Sequence, residues 1–207
     1  MKSLNNLKTI RDQIVAQEEA FYYFIKSFIL DNESWEVLNI LASKEKVYVL
    51  SGIIRDFLTG DFAGARDFDC VLVDGNIKNI EVIKFLKKTE HRVNSFGGIK
   101  IKHHQEIIDI WRLADTWGIK KQKLANSPLS LLDTVFFNFS AIVYDFNNRK
   151  FIFDDRFCLF LKTKTMDVVY TENPNIPLCL VNILYYHLKY GYHVSMGLAR
   201  WLSLIHI

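Results

Sequence analysis

Two aspartates one residue apart, Asp67 and Asp69, have the spacing best suited to joint chemistry in this chain. They open an apolar run that is typical of a strand, and side chains at positions i and i+2 of a strand leave the same face. Two carboxylates aimed at one point repel each other unless a cation lies between them. Hard oxygen ligands of this kind suit Mg²⁺, which proteins commonly hold together with substrate phosphates. The pair therefore predicts a magnesium site on a strand.

A tight turn precedes the aspartates. An apolar strand at residues 47–50 runs directly into Ser51-Gly52 and a short helix at residues 53–58. The free backbone N–H groups where such a helix begins can hold an anion. Taken alone, each feature has an ordinary explanation, because Gly is frequent in tight turns and Asp-x-Asp is frequent in solvated strands. Together, a phosphate-binding turn and a metal-binding carboxylate pair predict chemistry on a nucleoside triphosphate.

A third acidic residue, Asp109, is flanked by isoleucines in a predicted strand at residues 106–111. A lone acid in such a strand is commonly a salt-bridged edge residue, and Arg112 is an available partner. If the sheet brings Asp109 beside Asp67 and Asp69, three carboxylates could hold two metal ions for a displacement at phosphorus. The sequence leaves both interpretations open.

Periodicity predicts the elements that would position these residues. Helical spacing is found at residues 7–30, 35–44, 79–88, 178–190 and 195–201, and strand-like runs at 47–50, 68–73, 99–102, 106–111, 136–146 and 151–153. The adjacent histidines His103 and His104 interrupt the hairpin between two of these strands. They could bind a metal, although histidines in such a turn commonly face water.

The composition indicates a globular protein with a substantial core, since half of the 207 residues are hydrophobic and 24% are charged. The net charge is only +3, so a nucleic-acid surface would have to be a local patch. The lysines at 120, 121 and 123 are a candidate for such a patch, and a solvated loop is the equal alternative. The three cysteines lack metal-ligand spacing, which favours core residues in a reducing compartment. No signal peptide is visible and the apolar stretch at 176–188 is short and interrupted, so we predict a cytoplasmic protein without a membrane partner.

The motif between residues 51 and 69 resembles the head-domain signature of class II CCA-adding enzymes and bacterial poly(A) polymerases, which belong to the polymerase β-like nucleotidyltransferases. The motif reads Ser51-Gly52-x-x-Arg55-Asp56-x-x-x-Gly60, then Asp67-x-Asp69. The resemblance implies Mg²⁺ as cofactor, with three catalytic and metal-binding residues, namely Asp67, Asp69 and Asp109. The nucleotide-binding set predicted with it consists of Ser51, Gly52, Arg55, Asp56, Arg112 and Lys189. Within that set, Arg55 and Asp56 would order the active-site turn.

The similarity extends over most of residues 45–201, but the chain departs from the family where arginines are expected. Val135-Phe136 stands in place of an Arg-Asp pair, and Cys179, Asn182 and Tyr185 stand in place of arginines of the neck helix. Of the neck-helix positions that carry a cation in the family, only Lys189 keeps one. Arg binds phosphate bidentately, which uncharged residues cannot do. The transferase head is therefore better supported than CCA addition itself.

The predicted architecture is α+β. We expect N-terminal helices at residues 1–44, then a nucleotidyltransferase head at 45–172 whose mixed, mostly antiparallel sheet is flanked by helices. The start of an all-helical neck would follow at 173–201. Residues 202–207 read as the translation of a sequencing adapter, so we expect them to be foreign to the natural protein and the neck to be truncated.

The predicted reaction is transfer of a nucleoside monophosphate from ATP or CTP to an acceptor hydroxyl, with release of pyrophosphate. On resemblance alone the acceptor is an RNA 3′ end. A nucleotidyltransferase that modifies a small molecule or a protein is one alternative, and a degenerate head that binds nucleotide or RNA without catalysis is another. Retention of the three acids argues against degeneracy, because an unused buried carboxylate cluster is costly. Loss of the arginines argues for it.

Overall fold

The computed structural model describes residues 2–61, 67–75, 80–94, 97–104 and 106–204. Its helices are α1 (Lys2–Val15), α2 (Glu18–Phe24), α3 (Asn32–Lys44), α4 (Ser51–Thr59), α5 (Ile80–Lys88), α6 (Trp117–Gln122), α7 (Pro128–Thr134), α8 (Asp155–Thr163), α9 (Ile176–Tyr190) and α10 (Met196–Leu204). Its strands are β1 (Val47–Leu50), β2 (Phe68–Leu72), β3 (Glu90–Val93), β4 (Ile99–His103), β5 (Glu106–Arg112), β6 (Ile142–Asp145), β7 (Lys150–Phe153), β8 (Thr165–Met166) and β9 (His193–Val194). A π-helical turn (Ile25–Ile29) and two 3₁₀ turns (Leu113–Asp115 and Asn138–Ser140) complete the assignment.

Seven strands form one mixed sheet in the order β3-β4-β5-β2-β1-β6-β7, which confirms the predicted α+β class. Within the described part of this sheet, β2 and β5 are parallel and every other neighbouring pair is antiparallel. The parallel pair decides the geometry of the candidate site, because its register places Asp69 directly beside Asp109. Strands β8 and β9 form a separate parallel pair.

The two faces of the central strands differ because side chains alternate along each strand. One face is apolar and packs against α3 and α5, and its buried side chains include Phe68, Cys70, Ile101, Ile108 and Ile110. The opposite face of the same strands carries the half-buried side chains of Asp69, Lys100 and Asp109. The fold therefore builds its core on one side of β2, β4 and β5 and leaves charged groups on the other.

A buried carboxylate ties the N-terminal helices to the far edge of the sheet. Glu18, in the first turn of α2, accepts hydrogen bonds from the Phe151 N–H at 3.0 Å and from Lys150 Nζ at 2.9 Å. The Tyr144 hydroxyl donates to the Glu18 carbonyl oxygen at 3.0 Å. Phe21, one turn later, is fully buried and meets the Tyr144 ring edge-on. These bonds take the place of water at a carboxylate in a residue that is only 6% exposed.

Two predicted elements differ in the structure. The helix expected over residues 7–30 is broken after Val15, directly before Glu18, whose bonds to β7 fix the direction of α2. The strand expected over 136–146 is reduced to β6, because the Asn138 side chain accepts from the Asp167 N–H and donates to the Thr165 carbonyl, which holds a 3₁₀ turn. Strand β3 and helices α6, α7 and α8 lie where the sequence pattern gave no expectation.

The C-terminal helix α10 extends to Leu204, and Leu202 packs against the core. Residues 205–207, half of the segment expected to be foreign, lie outside the described residues. None of the helices that the structure describes is long and apolar enough to cross a bilayer.

Replacing Glu18 should test how strongly this carboxylate holds the N-terminal helices. We expect Glu18→Ala to lower the free energy of unfolding by about 2–3 kcal/mol, because the Phe151 N–H loses its acceptor in a buried place. Urea denaturation measures the loss. The matched control is Glu19→Ala, which removes an exposed carboxylate paired with Arg149 at 3.1 Å and should cost less than about 1 kcal/mol. Equal losses in the two variants would contradict the assignment.

Candidate active site

Three carboxylates come together on the polar face of the sheet. Asp69 and Asp109 are register partners in the parallel pair β2 and β5. Asp67 lies just ahead of β2, and its carboxylate is 3.4 Å from Lys100 Nζ. The same nitrogen is 2.7 Å from the Asp109 carboxylate. The nearest carboxylate oxygens of Asp67 and Asp109 are therefore no further apart than the sum of these two distances, and Asp69 lies beside them.

Asp69 shows the electrostatic consequence of this grouping. Burial raises the pKa of Asp69 to about 7, and the neighbouring charges of Asp109 and Asp67 add to the shift while Lys100 opposes it. The hydrogen bond to Asp109 raises the pKa of Lys100, so its ammonium stays charged. One ammonium thus offsets only one of the two charges of Asp67 and Asp109, and its effect on Asp69 is outweighed by burial and by the two neighbouring acids. An environment of this kind favours binding of a further cation.

Lys100 is the site residue that the sequence analysis missed. It is the cross-strand partner of Asp109 in the antiparallel hairpin of β4 and β5. Opposite charges directly across such a pair attract each other. The alternating Ile-Lys-Ile-Lys pattern signalled a strand with lysines on one face, but only the register of the hairpin shows which lysine meets which acid.

Arg112 lies elsewhere and does not form the salt bridge with Asp109 that the sequence offered as one of two interpretations. It is three positions further along β5 than Asp109, so alternation puts Arg112 on the opposite face of the sheet. Its guanidinium donates instead to Asp115, with a closest distance of 2.9 Å. This placement gives no support to the predicted nucleotide-binding role of Arg112.

The helix that follows β1 begins at the same end of the sheet as the acids. Val49 pairs with Cys70, so β1 ends and α4 begins beside the part of β2 that carries Asp69. The N-cap residue, Leu50, makes no side-chain hydrogen bond to the first turn of α4. A Cβ added to Gly52 would meet nothing within 4 Å, so there is open space beside the turn. Uncapped N–H groups facing open space fit the predicted anion site at Ser51 and Gly52.

Arg55 and Asp56 hold α4 in place from behind this turn. Arg55 is 6% exposed, and its guanidinium donates to Asp56 at 2.8 Å and to the Tyr186 hydroxyl at 3.0 Å. The guanidinium also lies over the rings of Phe139 and Tyr186. Burial raises the pKa of Asp56, and the charges of Arg55 and Lys189 oppose this shift. These contacts fix α4 against α9 and use the Arg55 donors within the protein.

The face of α9 where the family places arginines is largely apolar and aromatic here. Cys179 is buried in the core. Tyr185 packs edge-on against Tyr186 and accepts a hydrogen bond from Lys189 Nζ at 2.7 Å. Lys189 also lies over the ring of Tyr190. The exposed ammonium of Lys189 is therefore held among tyrosines near Asp56.

An open cleft lies beside Lys100 on the polar face. Its volume is about 390 Å³, within the range of small-molecule sites. The lining residues are Glu90, His91, Arg92, Lys100, Lys102 and Ile107. Arg92, Lys100 and Lys102 are cationic, but Lys100 is paired with Asp67 and Asp109, and Lys102 lies 3.9 Å from Glu90. The lining residues of the cleft therefore carry a modest excess of positive charge. Of the lysines at 120, 121 and 123, the first two lie in α6 and not in a loop, and Lys120 pairs with Asp115 at 2.7 Å.

The donor set fits a divalent ion with oxygen ligands. Asp67, Asp69 and Asp109 offer carboxylate oxygens of the kind that Mg²⁺ takes, and the pKa of Asp69 is raised by burial and by its two acidic neighbours. The carboxylate oxygens of the three acids do not all lie within 4.8 Å of one another. Among the described residues, a group this compact is formed by Asp31, His103 and His104. Lys100 occupies the space between two of the acids in this state.

The raised pKa of Asp69 predicts a pH-dependent gain in stability when this residue becomes Asn. Between the ordinary pKa of 3.8 and about 7, the folded chain keeps a proton that the unfolded chain releases. Wild-type stability should therefore fall as pH rises through this window, and the loss is complete above about pH 7. Without divalent metal, Asp69→Asn should become more stable than wild type across the window, by roughly 1–3 kcal/mol at its upper end.

Urea denaturation at several pH values across the window measures this difference. Asp74→Asn is the matched control, since Asp74 is an exposed acid just beyond the other end of β2, and its difference from wild type should stay flat. A difference for Asp69→Asn that does not change with pH would contradict the assignment.

Among the comparisons with known proteins, only the one with solved structures gives matches, and these support an assignment of the fold. No protein-family model matches the sequence, and no curated protein matches it. Among solved structures, a CCA-adding enzyme in complex with CTP matches with a TM-score of 0.61 at 17% identity, over 84% of this chain and 43% of that one. A tRNA nucleotidyltransferase complexed with a primer tRNA and an incoming ATP analog matches with a TM-score of 0.58 at 18% identity, over 81% and 48%. A structure described as tRNA-processing enzyme complex 3 matches with a TM-score of 0.59 at 20% identity, over 79% and 44%.

The chain thus spans less than half the length of the solved chains that it matches. At this level of identity the likeness concerns the fold. The chain has the nucleotidyltransferase head fold seen in CCA-adding enzymes.

Proposed function

We propose that this chain is a Mg²⁺-dependent nucleotidyltransferase that transfers a nucleoside monophosphate from ATP or CTP to an acceptor hydroxyl, with an RNA 3′ end as the acceptor. One observation carries the proposal: the register of β2 and β5 brings Asp69 beside Asp109, with Asp67 next to them, at the end of the sheet where α4 begins. A fold shared with tRNA nucleotidyltransferases supports the same reaction class.

The three acids and the turn have separate tasks in this proposal. Asp67, Asp69 and Asp109 would hold Mg²⁺, which when bound neutralises triphosphate charge and makes an acceptor hydroxyl easier to deprotonate. The N–H groups of Ser51 and Gly52 would bind phosphate oxygens, because they lie uncapped at the start of a helix.

The surrounding cations would position the reactants. Arg55 and Asp56 keep the turn rigid, so little reorganisation is needed when an anion binds. Lys100 lowers the repulsion between Asp67 and Asp109 before an ion enters. Lys189 would add positive charge on the α9 side, near Asp56.

The open cleft beside Lys100, which we call the basic cleft, supports an RNA acceptor. Arg92 and Lys102 line it beside Lys100 and on the same face as the acids, so an RNA backbone that contacts these two cations would have its end close to Asp109. The solved neighbour with a primer tRNA and an incoming ATP analog supports the same pairing of partners.

One observation favours a second candidate, a head that binds nucleotide or RNA without catalysis. The Lys100 ammonium already bridges two of the three acids, and a built-in cation of this kind can take the place of a metal ion. The lack of arginines on α9 points the same way, because the base and the triphosphate lose bidentate partners.

A transfer assay separates the two candidates. With labelled ATP or CTP and an RNA carrying a free 3′ hydroxyl, we expect Mg²⁺-dependent incorporation that EDTA abolishes. Asp69→Asn and Asp109→Asn should each lower the rate by at least about 100-fold, since loss of a direct ligand should exceed the 10–100-fold typical of outer-shell changes. Asp74→Asn should keep the wild-type rate.

Nucleotide binding that needs no Mg²⁺, without transfer to RNA, would favour the non-catalytic head. Transfer that survives both Asn variants would overturn the role of the acids. Incorporation into a small hydroxyl compound or a protein but not into RNA would keep the chemistry and change the acceptor.

The basic cleft has its own test. The double variant Arg92→Ala with Lys102→Ala should bind single-stranded RNA about 10-fold more weakly near 0.1 M salt. The negative slope of the logarithm of its association constant against the logarithm of the salt concentration should become shallower by about 1–2. Lys120→Ala with Lys121→Ala, which removes the same charge from α6, is the control. Fluorescence anisotropy across a salt series measures both, and an equal loss in the control would show that charge alone, and not the cleft, governs binding.

A further inference from the structure

Two histidines and an aspartate converge at the tip of the hairpin formed by β4 and β5. His103 Nε2 is 3.2 Å and His104 Nδ1 is 2.8 Å from the same Asp31 carboxylate oxygen, Oδ2. All three donor atoms lie within 4.8 Å of one another. Ligands bound at about 2.0–2.1 Å to a tetrahedral Zn²⁺ lie roughly 3.3 Å apart, so these separations need only small adjustment.

The His103 imidazole is buried beside Asp31 without a well-formed hydrogen bond. Its side chain is 9% exposed, and its Nε2 lies 3.2 Å from Asp31 Oδ2 but makes no hydrogen bond of acceptable geometry to a described residue. Glu106, which lies opposite His103 in the hairpin, accepts a hydrogen bond from the Asp31 N–H through Oε1. A buried imidazole nitrogen that faces a carboxylate oxygen at this distance without bonding to it fits two ligands that share a cation.

Both halves of the cluster are held in position by the backbone. Asp31 is the N-cap of α3, where its Oδ1 accepts from the Ser34 N–H at 2.8 Å and leaves Oδ2 to face the histidines. His104 has φ of 50°, a left-handed conformation that brings its ring to 4.1 Å from the ring of His103. His104 is also 72% exposed, so an ion can reach the cluster from solvent.

This cluster is separate from the candidate active site. His103 has the parity of Ile101 along β4 and therefore lies on the apolar face of the sheet, whereas Lys100 lies on the polar face with the acids. The Phe85 ring of α5 packs edge-on against His103 and closes its inner side. None of the residues proposed for nucleotidyl transfer belongs to the cluster.

We propose that Asp31, His103 and His104 bind a divalent transition-metal ion of the Zn²⁺ class, with Glu33 as a further donor at 3.8 Å from His103 Nε2. Two imidazole nitrogens and a carboxylate suit Zn²⁺, Co²⁺ or Ni²⁺, whereas Mg²⁺ takes oxygen ligands. The ion would join the start of α3 to the hairpin that carries Lys100 and Asp109, and so would stabilise the candidate active site from behind. This inference does not depend on the proposed nucleotidyl transfer.

The test is Zn²⁺ binding by the whole, tag-free chain after removal of metals with a chelator. Titration against a chromophoric Zn²⁺ indicator should show about one tight site in wild type. His104→Ala removes an exposed ligand and should weaken that site by at least about 10-fold. Asp31→Asn keeps a good N-cap and should weaken it as well, which separates metal binding from helix capping. A buried His103 variant is not needed, so failure to fold does not complicate the result.

Two controls fix the location of the site. His193→Ala removes an exposed histidine outside the cluster and should leave Zn²⁺ affinity unchanged. Asp69→Asn should also leave it unchanged, since that acid belongs to the other face. With free Zn²⁺ at about 100 times the wild-type dissociation constant, the melting temperature of wild type should rise by about 5–10 °C, and that of His104→Ala should rise by no more than about half as much at the same concentration.

The proposal is overturned if wild type holds no stoichiometric Zn²⁺ against the indicator. It is equally overturned if His104→Ala binds as tightly as wild type, or if His193→Ala or Asp69→Asn loses as much affinity as His104→Ala does.

Discussion

The parallel pairing of β2 with β5 is the constraint on which the rest of this structure depends, because it sets two like charges side by side. Asp69 and Asp109 are register partners, and Asp67 adds a third carboxylate beside them. Such an arrangement opposes folding unless positive charge compensates it. The chain supplies part of that charge with Lys100, which reaches Asp67 and Asp109 from the neighbouring strand. Asp69 is left to hold a proton or to meet a cation from solution.

Burial of apolar side chains on the opposite face of the sheet stabilises the fold and offsets the repulsion between the acids. Phe68, Cys70 and Ile110 alternate with the charged positions along β2 and β5 and are buried against α3 and α5. Because alternation in a strand links the two faces, the same register that groups the acids also completes the core. A slip by one residue would bury the carboxylates and expose the apolar set, so the core fixes the register and the register fixes the site.

The helices around the turn show what this chain keeps and what it changes relative to the fold it shares with CCA-adding enzymes. Arg55 is buried between Phe139 and Tyr186 and bonds to Asp56, so the start of α4 is held by contacts inside the protein. On α9, Tyr185 and Lys189 stand among aromatic rings, without guanidinium groups.

The sequence by itself determined the local parts of this protein. Apolar alternation located β1, β2, β4 and β5 to within about a residue or two, and the spacing of Asp67 and Asp69 with Ser51-Gly52 before them identified the acids and the turn. Such features depend on near neighbours along the chain, so they can be read from it. The tertiary structure alone decided the partners of those residues. It gave Asp109 the ammonium of Lys100 in place of Arg112, and it interrupted the predicted N-terminal helix at Glu18. It also turned His103, expected to face water, into a buried imidazole beside Asp31, which lies 72 positions earlier. The physical reason is common to these cases: pairing across strands and between helix and sheet depends on register and burial, and these are set by the packing of the whole core.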